Sequence, residues 1–100
     1  MNKKMKTKEL LKFKIASLAE LTQNWDSYNA EEITQLSILN ASEYLDTLEV
    51  DWNIVNVFPM RDGGVQIEIG DFKEIEIFNN SIKEITLDTN YNIIKTYIYS

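Results

Sequence analysis

The chain has no cysteine and no histidine, and only one proline and three glycines among its 100 residues. Without cysteine there is no disulfide, no thiol nucleophile and no thiolate ligand. Without histidine the usual general base and the commonest metal ligand are gone. Zinc sites of the Cys/His type and haem ligation fall with them. The sparse glycines offer no phosphate-cradling loop: Gly63-Gly64 lacks the downstream glycine and lysine of a P-loop, and no helical pattern follows it. No apolar run approaches the roughly eighteen residues of a membrane-spanning helix. What is present is ordinary: 44% hydrophobic and 26% charged residues, the make-up of a globular protein. The expectation is a single domain over residues 1–100, long enough to bury roughly two-thirds of its unfolded surface. No catalytic residue, metal ligand or cofactor is expected from this inventory.

The charge is uneven. Ten basic groups against sixteen acidic ones leave a net −6. The first fourteen residues hold six lysines (Lys3, Lys4, Lys6, Lys8, Lys12, Lys14) against Glu9, and the other 86 hold four basic and fifteen acidic groups. Between Lys14 and Arg61 there are eight carboxylates and no cation. The basic start is not followed by an apolar stretch, since Glu20 and polar residues interrupt it, so it does not read as a signal peptide. The expected location is the cytoplasm, without a membrane partner. An acidic body repels phosphate, and the lysine-rich start lacks arginine and has only Phe13 as an interleaved aromatic, so direct nucleic-acid binding is not expected.

Residues 7–23 place Leu10, Leu11, Ile15, Leu18 and Leu21 at spacings of three and four, the period of one helical face. Lysines crowd its beginning, where the macrodipole disfavours cations, so residues 1–8 read as a frayed start. Asn29 precedes Glu32 by three residues, the spacing of a capping box, and predicts a second helix over about 30–49. On a helical wheel Ile33, Ile38, Ala41, Tyr44, Leu45 and Leu48 share the core face, while Glu31, Glu32, Glu43, Asp46 and Glu49 lie opposite. Leu39 falls among those acids. It reads either as a packing or simply exposed residue, or as a partner contact with Glu43 and Asp46 beside it.

From residue 54 the period becomes two. Val55, Val57 and Phe58 end at Pro59; Val65, Ile67 and Ile69 follow a turn at Arg61-Asp62-Gly63-Gly64. Ile75 and Ile77 follow Gly70-Asp71, Ile85 and Leu87 follow Asn79-Asn80-Ser81, and Ile94, Thr96 and Ile98 follow Asp88-Thr89-Asn90. Short turns join only antiparallel neighbours. The predicted fold is therefore α+β: two N-terminal helices packed on a four- to five-stranded antiparallel meander, ααβββββ.

Pairing of 65–69 with 73–78 brings Glu68, Glu74 and Glu76 onto one polar face. Clustered carboxylates suit a hard divalent cation, and a metal-dependent hydrolase is the alternative they support; the plainer reading is a solvated face eased by Arg61, Lys73 or Lys83. Pro59…Asp62…Asp71-Phe72-Lys73 has the residue order of a nuclease site, but Asp71 falls in a turn rather than on a central strand, and no basic groove accompanies it. At the end of the chain Tyr91, Tyr97, Ile98 and Tyr99 lie where an exposed sheet edge would form, and assembly through that edge is a third reading.

The most distinctive residues are Asn24-Trp25-Asp26-Ser27-Tyr28-Asn29-Ala30. With Pro59, Gly63-Gly64-Val65-Gln66-Ile67-Glu68 and Glu74-Ile75-Glu76-Ile77, they resemble a widespread family of small, uncharacterised bacterial and phage proteins. That pattern runs N-W-D-G-Y-G-A, then a helix, then P…G-G-x-x-x-E-W and an acidic-hydrophobic strand. The resemblance spans about residues 10–80 and implies the layout, not an activity. Here Ser27 and Asn29 stand at the two glycine positions and Ile69 at the second tryptophan. Trp25 reads first as a core anchor under the turn between the helices, with Asp26 accepting neighbouring N–H groups. In the other reading Trp25, Asp26 and Tyr28 form a recognition patch.

Composition and elimination together point to a small acidic, non-enzymatic protein-binding module of the inhibitor, antitoxin, immunity or phage counter-defence kind. The expected partner is another protein, one that itself binds nucleic acid included, with self-association as a further option.

Overall fold

Thr7 opens the first helix: its side-chain oxygen accepts the N–H of Leu10 at 3.1 Å and caps α1 (Lys8–Ser17). The computed structural model describes residues 5–99, so Lys3 and Lys4 of the expected frayed start lie outside the described residues. Within them the start is tied down. The Lys6 backbone N–H donates to Asn53 Oδ1 at 2.9 Å, and its Nζ donates to Asn56 Oδ1 and the Val55 carbonyl at 2.6 and 3.1 Å.

α1 is shorter than its apolar period predicts. It passes at Leu18–Glu20 into a single 3₁₀ turn, and Leu21 is already extended. Leu11 and Ile15 are fully buried, Leu18 and Leu21 pack at the margin, and Leu10 is exposed. A ten-residue helix resting on a sheet needs only a narrow stripe, and Leu10 lies a wheel step outside it.

The second helix is displaced from its expected start. α2 spans Gln35–Leu45, and its N-cap is Thr34, whose Oγ1 accepts the Ser37 N–H at 3.1 Å. The Asn29–Glu32 capping box does not form, because Asn29 has a φ of 69° and belongs to the preceding turn. Residues 30–34 form no helix and are tied to the first hairpin instead, with Glu31 N donating to the Arg61 carbonyl and Thr34 N to that of Gly63. Ala41, Tyr44 and Leu45 are buried as the wheel predicts.

A 3₁₀ turn at Trp52–Ile54 leads into the sheet. Its strands are β1 (Val55–Pro59), β2 (Val65–Ile69), β3 (Lys73–Ile77), β4 (Ile82–Leu87) and β5 (Ile93–Tyr99). All neighbours are antiparallel and the spatial order equals the chain order, which leaves β1 and β5 as the two edges. Two helices followed by a five-stranded antiparallel sheet are the ααβββββ arrangement expected.

Val55, Val57, Val65, Ile67, Ile69, Ile75 and Ile77 face the helices and form one core with Leu11, Ile15, Ile33, Ala41, Tyr44 and Leu45. α1 packs on α2 and on β1, and α2 also on β2 and β3. At β4 the parity shifts. Phe78 N–H bonds the Ser81 carbonyl, and the register pairs Ile77 with Ile82 and Ile75 with Glu84. Ile82 and Glu84 therefore take the helix side, and Ile85 lies on the other face opposite Glu74, where it is nonetheless buried. Glu84 is accommodated there by the Tyr44 hydroxyl, which donates at 2.8 Å, and by Lys73 Nζ at 3.4 Å.

Candidate functional site

The 24–30 segment is a built turn. Asn24, Ser27 and Asn29 all have positive φ (68°, 64° and 69°). Asp26 Oδ1 accepts the N–H groups of Tyr28 and Ala30 at 2.8 and 3.0 Å, while Oδ2 accepts Arg61 Nε at 2.6 Å. An Arg61 terminal nitrogen also donates to the Tyr28 carbonyl. Burial pushes the Asp26 pKa up, but the N–H groups of Tyr28 and Ala30 and then Arg61 outweigh it and hold the carboxyl below its ordinary value. Trp25 is partly buried against the core and donates Nε1–H to the Glu31 carbonyl at 2.7 Å.

The glycines that follow complete this clasp. A Cβ on Gly63, at φ +93°, would stand 3.0 Å from the Glu32 carbonyl oxygen, and one on Gly64 would stand 2.7 Å from that of Ile77. The two halves of the resemblance motif thus meet in space, 24–30 against 61–64, and hold the entrance to α2 on the first hairpin. Of the predicted patch, Trp25 and Asp26 are spent on this architecture, and Tyr28 alone presents an exposed side chain.

On α2, Leu39 is exposed as the wheel places it. With Leu36 it lines an open groove of about 580 Å³ against Lys12, Ile15 and Ala16 of α1. One of the acids around Leu39 is compensated. Lys8 and Lys12 of α1 reach Asp46 at 3.3 and 2.7 Å, and their hydrogen bonds hold its carboxyl below the ordinary range. Reading charge along the chain misses this, because the two helices pack side by side and bring Lys8 and Lys12 onto Asp46. Glu43 stays exposed and borders a shallow cleft with Asn40, Thr47 and Ile82.

The outer sheet face carries the carboxylates as predicted. Glu68 stands opposite Glu74, and Gln66 opposite Glu76. Gln66 Nε2 donates to Glu68 at 3.2 Å, and Lys83 lies opposite Glu76 on the next strand. Lys73 and Arg61, expected to ease these charges, are engaged elsewhere, with Glu84 and Asp26. Among the described residues no three carboxylates converge into a group able to hold a metal ion, and no helix is long and apolar enough to cross a membrane.

The two sheet edges differ sharply. β1 is five residues long, Lys6 occupies the Val55 carbonyl, and Pro59 brings no N–H. β5 is seven residues long, and every residue from Tyr91 to Ile98 is exposed. Ile93, Ile94 and Ile98 expose 63–64% of their surface, and Tyr97 56%. Lys95 is the sole charge in that stretch.

Tyr91, at the turn into the strand, holds a φ of 63°. Asp88 builds that turn by accepting the N–H groups of Asn92 and Asn90, which hold its carboxyl below the ordinary value. The sequence signal for this edge was the alternation of isoleucine and tyrosine after the last turn; the plug on β1 by Lys6 carried no sequence signal. No protein-family model, curated protein or solved structure matches the chain.

Proposed function

We propose that the chain is a small acidic protein-binding module without chemistry of its own, and that it recruits its partner by strand addition at β5. The observation that carries this reading is the open edge: seven residues, apolar on both faces, outside the principal helix–sheet contacts, opposite an edge that Lys6 and Pro59 block. Strand addition uses main-chain hydrogen bonds for affinity and alternate side chains for selectivity. Exposed tyrosine and isoleucine supply the apolar area such contacts need. An inhibitor, antitoxin, immunity or counter-defence role is one that a compact module of this kind fills. Glu43 and the Glu68, Glu74 and Glu76 face then act as a negative surround that steers and selects the partner.

The test compares immobilised wild type with Thr96→Pro, Ile98→Lys and Leu39→Ala for what each retains, from a cell extract or as a differently tagged copy of the chain. Retention falls for the two strand variants and is kept by Leu39→Ala. Retention undiminished in Thr96→Pro and Ile98→Lys would overturn the reading.

A further inference from the structure

The strand-addition reading can be deepened to a definite occupant. We propose that β5 pairs antiparallel with β5 of a second copy of this chain, forming a closed two-fold dimer with a continuous sheet; this rests on β5 being the interaction edge. Four observations lead there.

The first is which backbone groups are free. Phe78 N–H bonds the Ser81 carbonyl and Leu87 N–H bonds that of Phe72, so the odd-numbered residues of β4 address β3. By the two-residue alternation of a strand, Ile82, Glu84 and Thr86 address β5, at their partners Tyr99, Tyr97 and Lys95. Thr96 and Ile98 therefore turn their N–H and C=O groups to the open side.

The second is register. The irregularity at Thr86/Leu87 takes Ile94 out of the regular pleat. The regular stretch is then 95–99, centred on Tyr97. A two-fold axis at Tyr97 sets Thr96 of each copy opposite Ile98 of the other, and the two pairs exchange about four hydrogen bonds.

The third is charge. Lys95 is the strand's only charge, and this register keeps the two lysines about 13 Å apart along the strands, whereas a shift of the axis to residue 95 would set them face to face. On a protein of net charge −6, two copies repel over most of their surfaces; β5 is a carboxylate-free stretch where they can approach.

The fourth is closure. Head-to-tail growth through a sheet needs two open edges, and β1 is blocked by Lys6 and Pro59. One open edge gives an isologous pair, and the assembly stops at two.

Sedimentation of the full chain from micromolar to millimolar concentration, with amide exchange at Thr96 and Ile98, tests this. The wild type sediments as a dimer with no larger species, and both amides are protected in it. Thr96→Pro removes an outward N–H that β4 does not use; losing its two symmetry-related bonds weakens self-association at least about tenfold. Ile98→Lys acts in the same direction, because the two introduced lysines are diagonal neighbours on one face of the paired strands, about 7–8 Å apart. Circular dichroism of both variants matches wild type, which separates lost pairing from lost folding. A wild type that stays monomeric, or assembles beyond a dimer, overturns the self-pairing. If that monomer still retains extract proteins in a Thr96-dependent way, the broader reading stands. A dimer unaffected by both substitutions overturns the two together.

Discussion

Ser27 occupies the left-handed region at φ 64° with an exposed side chain. A non-glycine residue there brings Cβ against its own carbonyl and costs about 1–2 kcal/mol. Replacing it with glycine removes that cost, but the freer unfolded chain returns about 0.5–1 kcal/mol. The Ser27 N–H to Asn24 carbonyl bond, 3.0 Å long, is unaffected. The net expectation for Ser27→Gly is a gain of about 0.5–1 kcal/mol, or about 2–8 °C in Tm for a domain of this size. Asn29→Gly gains less, near zero, because asparagine tolerates the left-handed region. Ser27→Ala keeps the strain and shifts little, while Ser27→Val loses stability because β-branching worsens the same contact. Urea unfolding followed by circular dichroism ranks the four. The reasoning fails if Ser27→Gly is no more stable than wild type, or if Asn29→Gly gains more than Ser27→Gly.

Gly64→Ala pushes a methyl 2.7 Å from the Ile77 carbonyl oxygen; overpacking of this kind costs about 1–3 kcal/mol, read as a lower urea midpoint at unchanged slope. Glu74→Gln relieves the direct opposition of Glu68 and Glu74 and gains about 0.2–1 kcal/mol; added salt should shrink the gain, and a gain constant from low to high salt would count against charge as its cause. Asp26, Asp46 and Asp88 all have carboxyls held below the ordinary value. Their contribution is therefore complete above the unfolded aspartate pKa of about 3.9 and is lost as pH falls through the lower folded values. The urea midpoint should drop steeply below that point, and Asp46→Asn should flatten the drop; an unchanged acid profile in that variant would refute the Lys8–Asp46–Lys12 account.

The sheet and its order were legible because turns and alternation are local signals. Gly63-Gly64, Gly70-Asp71, Asn79-Asn80-Ser81 and Asp88-Thr89-Asn90 each sit where a strand ends, and such short links permit only antiparallel neighbours. The carboxylate strip was legible for the same reason, since a tight turn fixes the register of β2 on β3. What escaped depended on contacts distant in the chain. The start of α2 moved from residue 30 to Gln35 because residues 30–34 are held by the Arg61 and Gly63 carbonyls, and no local propensity reports that. The pairing of Asp46 escaped for the same kind of reason, since Lys8 and Lys12 reach it across 34 and more residues of chain.

The parity of β4 shows how one turn decides what a strand offers. A pairing slipped by one residue would send Ile85 to the helices and Glu84 to water, the assignment that hydrophobicity alone favours. The observed pairing of Ile77 with Ile82 puts Glu84 on the helix side and Ile85 on the other face, where it is still buried. That choice is tolerable only because Tyr44 and Lys73 receive Glu84. It also sets which residues of β4 address β5, and so which amides of β5 remain free. Had the turn at Asn79-Asn80-Ser81 been one residue longer, Lys95 and Tyr97 rather than Thr96 and Ile98 would turn their backbone to the open side, and the natural two-fold axis would bring lysine to the centre of the pairing. The neutral character of the open edge is therefore a property of the β3–β4 turn as much as of the strand's own residues.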